Sequence, residues 1–186
     1  MKREASRGVG VPLMLSRPGA AAAGATIQVS SASFGANAAI PSKHIEYAES
    51  VSPPRSWGAV AHARSYVIVA EDPDAKPITP FVHWVAWNVP GNVTSLPEGL
   101  QKQDRLTEPA GLVHGLTSRG SVGCYGPRPP VGEPPHHYRF QVLALDAVLQ
   151  LPLGSSRDHV LAAAKGHVIA KGELVGTYRQ ELKPSK

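Results

Sequence analysis

The apolar positions of this chain gather in short runs with the spacing of strands. Ser65-Tyr66-Val67-Ile68-Val69-Ala70 is almost continuously apolar, the pattern of a strand buried on both faces. Residues 81–89 repeat that pattern and stop at the turn sequence Pro90-Gly91-Asn92. In residues 138–145, Arg139 and Gln141 alternate with apolar neighbours, and Thr26-Ile27-Gln28-Val29-Ser30 alternates as a half-buried strand does. Residues 172–178 read as a final strand. A helical signal stands at one place, with Ser155 as N-cap, Asp158 in the capping-box position, Val160, Leu161 and Ala164 as the apolar face, and Gly166 as the stop. Ile40-Pro41 and Ser52-Pro53-Pro54-Arg55-Ser56-Trp57 read as turns and sheet edges, because proline cannot donate to a ladder. The stretch from Gly91 to Pro135 is rich in Gly, Pro and Ser, and such long connections in compact domains are functional or disordered. Residues 1–25 lack a sustained period and are expected to form a flexible arm ahead of a single domain over 26–186. Strands dominate and nothing repeats, which predicts a mainly β fold, a two-sheet antiparallel β-sandwich with a few short helices.

Composition narrows the function classes. The chain has 186 residues, 42% of them hydrophobic, enough for a real core, and its 18 Gly and 18 Pro suit strands and turns better than a helical bundle. The lone Cys124 excludes a disulfide framework and a cysteine-based metal cluster. The net charge of +5 resides at the ends: +3 in residues 1–18, +2 in residues 171–186, and none in between. No basic face for nucleic acid is expected from that distribution. No run reaches the eighteen or so apolar residues of a membrane span. The apolar stretch near the N-terminus is short and broken by Pro12, so a cytoplasmic location is preferred to export through a signal peptide.

The candidate chemistry sits at strand ends beside proline-held turns. Asp72-Pro73-Asp74 follows the 65–70 strand, His83 lies in the next, and His136-His137-Tyr138 opens another after Pro129-Pro130 and Pro134-Pro135. Histidine changes charge near neutral pH, an adjacent carboxylate fixes which ring nitrogen carries the proton, and tyrosine is a neutral donor for an oxyanion. His136 and His137 are adjacent, so only one can face a common pocket. Each has a plainer reading: Asp72 and Asp74 as turn residues, His83 as a core histidine, Arg128 as a solvated loop cation. Asp72, His83 and His136 lack the spacing that would argue for a metal site, and there is no Gly-x-Ser-x-Gly elbow and no Walker loop. Neither metal nor cofactor is expected.

In order and spacing, Ile40-Pro41, Ser52-Pro53-Pro54 with Trp57, Asp72-Pro73-Asp74-Ala75, His83-Trp84, Leu96-Pro97-Glu98-Gly99, Gly126-Pro127, Pro129-Pro130, His136-His137-Tyr138, Ala144-Leu145-Asp146 and Gly176-Thr177-Tyr178 resemble the phosphatidylethanolamine-binding protein family, also called the Raf kinase inhibitor protein family, in its bacterial and archaeal branch. The resemblance implies a large sheet packed on a smaller one, with a small anion pocket for phosphate-like groups, phospholipid headgroups included. It places Asp72, Asp74, His83, His136 and Tyr138 in that pocket and Pro129 in its wall. Lys76 before Pro77 and Arg128 before Pro129 depart from the family pattern and add cations, of which Arg128 joins the candidate ligand-binding residues. His137 stands where the family commonly has arginine.

The reading that follows is a non-enzymatic protein that binds a phosphate-bearing small molecule or phospholipid headgroup. The alternatives are an inhibitor or scaffold acting on a kinase or protease, and a weak phosphoester hydrolase with His83 or His136 as base and Asp72 as orienter. A homodimer is expected, from the pairing of bacterial family members and from Trp57, Trp84 and Trp87, one of which would anchor an interface.

Overall fold

The computed structural model describes residues 25–77 and 80–181, so the expected arm lies outside the described residues apart from Ala25. The strands are β1 (Ala25–Thr26), β2 (Val29–Ser30), β3 (Arg55–Trp57), β4 (Ser65–Asp72), β5 (Phe81–Pro90), β6 (Ser95–Leu96), β7 (Arg105–Thr107), β8 (Ala110–His114), β9 (His136–Leu145) and β10 (Val168–Tyr178), with one α-helix, α1 (Arg157–Ala164). A seven-stranded sheet has the order β1-β10-β9-β4-β5-β8-β7, and a three-stranded sheet the order β2-β3-β6. All pairings between named strands are antiparallel except β1 with β10.

β4 lies between β9 and β5 and is buried along its whole length, as its unbroken apolar run predicts. Tyr66, Ile68 and Ala70 face the small sheet, where they pack with Ile27, Phe34, Trp57 and Leu96. Val67 and Val69 face the other way and pack with Val85, Leu143 and Leu145 under Val160 and Ala164 of α1. Helix, large sheet and small sheet thus form successive layers around two apolar interfaces. Trp84 and Trp87 fall on opposite sides of the large sheet, and Trp57 lies between the sheets. All three are buried, so the tryptophan argument for a dimer interface does not hold.

Several local expectations need correction. The alternating stretch 26–30 is not one strand: Thr26 pairs with Lys171 in the large sheet, whereas Val29 pairs with Trp57 in the small one. Ile27 makes the crossing, its N–H donating to the Lys171 carbonyl at 2.8 Å. Only glycine fits beside that crossing, because a Cβ on Gly172 would stand 1.9 Å from the Ile27 carbonyl oxygen. Arg55–Trp57 is the middle strand of the small sheet, with its prolines placed just before the ladder. Arg55 lies over the Phe140 ring at 3.6 Å, and burial lowers its guanidinium pKa to about 9.

The helix is capped by Ser156, whose hydroxyl accepts from the His159 N–H, while the His159 ring takes the reciprocal bond. Ser155 donates instead to the Pro152 carbonyl, and Asp158 pairs with Arg157. Just past the helix, the His167 ring meets Asp146 at 2.8 Å. The long stretch after Gly91 contributes β6 and β7 at sheet edges, with β8 between β5 and β7, before turning irregular. Among the described residues no helix is long and apolar enough to cross a membrane.

Candidate functional site

Strand register gathers what the sequence separates. Asp72 ends β4 and β9 begins at His136; with Glu71 opposite Arg139, the next step of the ladder sets Asp72 beside Tyr138. On the other flank Asp72 pairs with Phe81 of β5. The β4–β5 register shifts between Ala70 and Glu71, whose partners are Trp84 and Val82, so His83 is the extra residue of a bulge. A bulge re-aims its side chain. Here it turns His83 toward Tyr138, with ring centroids 5.2 Å apart at a steep angle. His136 and Tyr138 are two apart in β9 and share a face, their rings near-parallel at 6.4 Å.

The two carboxylate oxygens of Asp72 have different partners. Oδ1 accepts from the backbone N–H groups of Asp74 and Ala75 at 2.9 and 3.2 Å, an Asx turn. Oδ2 faces His136 Nδ1 at 2.8 Å, and both side chains are buried. The second ring nitrogen, Nε2, faces Glu133 Oε2 at 3.0 Å. Burial alone would depress the His136 pKa, but the hydrogen bonds with Asp72 and Glu133 outweigh it and hold it above the ordinary histidine value.

His83 behaves oppositely. Its Nδ1 donates to the Tyr125 carbonyl at 2.8 Å, and burial pushes its pKa below the ordinary value. Nε2 is the polar atom left to it. The Tyr138 hydroxyl is buried beside the Asp72 carboxylate without a well-formed hydrogen bond, and burial followed by that negative charge keeps it protonated. Phe81 and Tyr125 complete an aromatic wall around His83, at 4.8 and 5.8 Å between ring centroids.

The remaining candidates form the surroundings. Pro129 is buried, and its carbonyl accepts from the Tyr47 hydroxyl at 3.0 Å. Arg128 is exposed and lies at the rim, its Nη1 3.4 Å from the Tyr125 hydroxyl and its guanidinium over the Tyr47 ring at 5.6 Å. Asp74 is turned away from the buried group: its carboxylate accepts from the His137 N–H and pairs with His137 Nδ1, both at 2.8 Å. Burial opposes ionisation of Asp74, but the His137 contacts prevail and lower its pKa. His137 points outward, as the alternation along β9 requires.

Glu133 was not singled out by its sequence context, although a carboxylate in the turn just ahead of a strand-opening histidine is within reach of that ring. Cys124 is buried and its thiol is pushed up to about 11, an unreactive state. Among the described residues no group of His, Cys, Asp and Glu has an arrangement that could hold a metal ion. The convergence is a buried cluster: two histidines of opposite proton affinity, one phenol, and a carboxylate that orients one of them.

The family model for phosphatidylethanolamine-binding protein matches residues 29–179. A UPF0098 protein of Pyrococcus horikoshii is 43% identical over 157 residues, covering 84% of this chain and 78% of that protein. A crystal structure of a phosphatidylethanolamine-binding protein homologue from Chlamydia trachomatis superposes with a TM-score of 0.75 at 33% identity, covering 84% of this chain and 99% of the other. Escherichia coli YbcL, described as a member of the mammalian family, superposes with a TM-score of 0.77 at 30% identity, covering 86% of this chain and 100% of the other. Sequence span, fold and identity agree, and the chain belongs to the phosphatidylethanolamine-binding protein family.

Proposed function

We propose that the protein binds a phosphate-bearing small molecule or phospholipid headgroup, without turnover, in the recess lined by Asp72, His83, His136 and Tyr138. The observation that carries this reading is the Tyr138 hydroxyl, buried against two histidines and beside the Asp72 carboxylate without a well-formed hydrogen bond. A buried polar atom left unpaired costs about 1–3 kcal/mol, and a native fold retains one where a ligand or water completes it. The phenol is a donor and protonated His136 is a donor, so the complement carries acceptor oxygens, while His83, whose burial disfavours protonation, offers Nε2 as an acceptor to a protonated phosphate oxygen or an amine. Asp72 repels such an anion by charge but keeps His136 protonated and aimed, which is its contribution. The reading stops at binding because His136 engages carboxylates at both nitrogens and His83 commits Nδ1 to a backbone carbonyl. Neither is a base placed against a nucleophile.

Calorimetric titration with inorganic phosphate and phosphorylethanolamine tests the proposal, the two probes separating a bare anion from a headgroup. His136→Ala is expected to lose roughly 1.5–3 kcal/mol of affinity, the range for hydrogen bonds to charged groups. The sign with pH follows from the raised His136 pKa: the charged ring is present below it, so affinity falls as pH rises through it. Equal affinity in the variant, or affinity that grows with pH, overturns the assignment.

A further inference from the structure

The His136 ring has a buried side and an open side. Nδ1 meets Asp72, whose side chain is 3% exposed, whereas Nε2 meets Glu133, whose side chain is 50% exposed. The Nε2 edge is therefore the one an anion arriving from solvent reaches, and a carboxylate already stands on it at 3.0 Å. Carboxylates only accept, so the two contacts are both hydrogen bonds when each ring nitrogen carries a proton. That is the ring state an anion requires as well.

Glu133 is held there by its loop. The Gly132 N–H donates to the Gln180 carbonyl at 3.0 Å, and Val131 forms a bridge with the same residue. Gln180 in turn accepts from the Tyr178 hydroxyl at 2.7 Å, which ties the loop to the end of β10. Gly132 has a φ of 85°, a left-handed conformation that glycine adopts without strain and that turns the chain to present Glu133.

We propose that Glu133 is a tethered competitor for the anion site, occupying the hydrogen-bonding position on His136 that a bound anion needs and thereby setting which anions are admitted. This rests on the binding reading above. An incoming anion displaces the Glu133 carboxylate from Nε2 and then shares the mouth with its negative charge, so small inorganic anions with few other contacts are disfavoured. A larger ligand that also reaches Tyr138 and His83 offsets the displacement with further hydrogen bonds. Glu133 is thus a specificity-determining residue, and neutralising it opens the site to simple anions.

The test is a calorimetric titration of inorganic phosphate into the natural chain and into Glu133→Gln, both at about pH 5.5, below the ordinary histidine pKa, so that His136 is charged in each. Glutamine keeps the side-chain volume and removes the charge. The variant is expected to bind phosphate about tenfold more tightly or better. The His136 ring resonances should titrate at lower pH in the variant, which reports that the Glu133 carboxylate engages that ring in solution, while the gain in phosphate affinity reports the competition. Binding by the variant alone supports the proposal equally. Equal or weaker binding by the variant, when the natural chain binds, overturns the competitor role and leaves the pocket reading standing. No binding by either chain overturns the pocket reading and the proposal with it.

Discussion

Glu71 and Asp72 are consecutive residues of one strand, both carboxylates are buried, and they face opposite sides of the large sheet. Glu71 turns toward α1, where it pairs with Arg157 and accepts from Gln141 at 2.8 Å. Asp72 turns toward the small-sheet side, where it meets a histidine that gains and loses a proton and, close by, a phenol without a well-formed hydrogen bond. The first carboxylate is enclosed by permanent donors, whereas the second divides its oxygens between two backbone N–H groups and side chains whose donors are conditional or weakly engaged. Burial alone therefore does not distinguish a structural charge from a functional one. The distinction lies in whether the surrounding hydrogen bonds are complete within the chain.

The comparison breaks most visibly at Arg157. Removing one member of a buried ion pair leaves an uncompensated charge and costs about 3–5 kcal/mol. Arg157→Met should lower stability by that order in chemical denaturation, with phosphate affinity changed less than about twofold, since the pair lies on the far side of the sheet. A loss of affinity as large as the loss of stability would mean that the two faces are coupled through β4 and that Glu71 belongs to the site.

Tyr138→Phe acts on the other side of the comparison, and its two effects should have opposite signs. Deleting a buried hydroxyl that makes no well-formed hydrogen bond removes a poorly satisfied group, so stability should hold or rise by about 1 kcal/mol. Phosphate affinity should fall roughly tenfold, the value of a hydrogen bond to a charged group. Denaturation and calorimetry on the same variant decide the matter. A destabilised Tyr138→Phe that binds normally would make the hydroxyl part of the framework, as Arg157 is.

How much of this is legible in the sequence depends on range. β4, β5 and β9 can be read from local apolar patterns, and Asp72, His83, His136 and Tyr138 from their places at strand ends beside prolines. Their meeting is set by register and by the bulge at His83, which depend on partners far along the chain. The Glu71–Arg157 pair spans 86 positions and leaves no local trace, because each residue alone reads as a surface charge. Arg55 misleads for a similar reason: the prolines before it signal an edge, while the strand that follows is central in its sheet. The Ser155–Ser156 ambiguity at the helix start is a matter of one residue, settled by which hydroxyl the backbone geometry aims at the His159 N–H.

The smallest effect sharpens the comparison within β9 itself, between His136 and His137. The His137 side chain is 54% exposed and its ring meets only the half-exposed Asp74 carboxylate, so the pair is worth at most about 1 kcal/mol. His137→Ala should leave phosphate affinity within about twofold, because alternation sends this ring away from the recess. Its stability cost should depend on pH in a defined sense. Asp74 has a lowered pKa in the folded chain, so its contribution is present above the ordinary carboxylate range, near pH 4, and fades as pH falls through the lowered value. The natural chain and His137→Ala should accordingly differ in melting temperature at neutral pH and converge in acid. Convergence without any change in phosphate binding would identify Asp74 as a strap that fixes the turn after Asp72 to the start of β9. A matching loss of affinity would place Asp74 among the groups that meet the anion, and the division between the inward and outward faces of β9 would have to be redrawn.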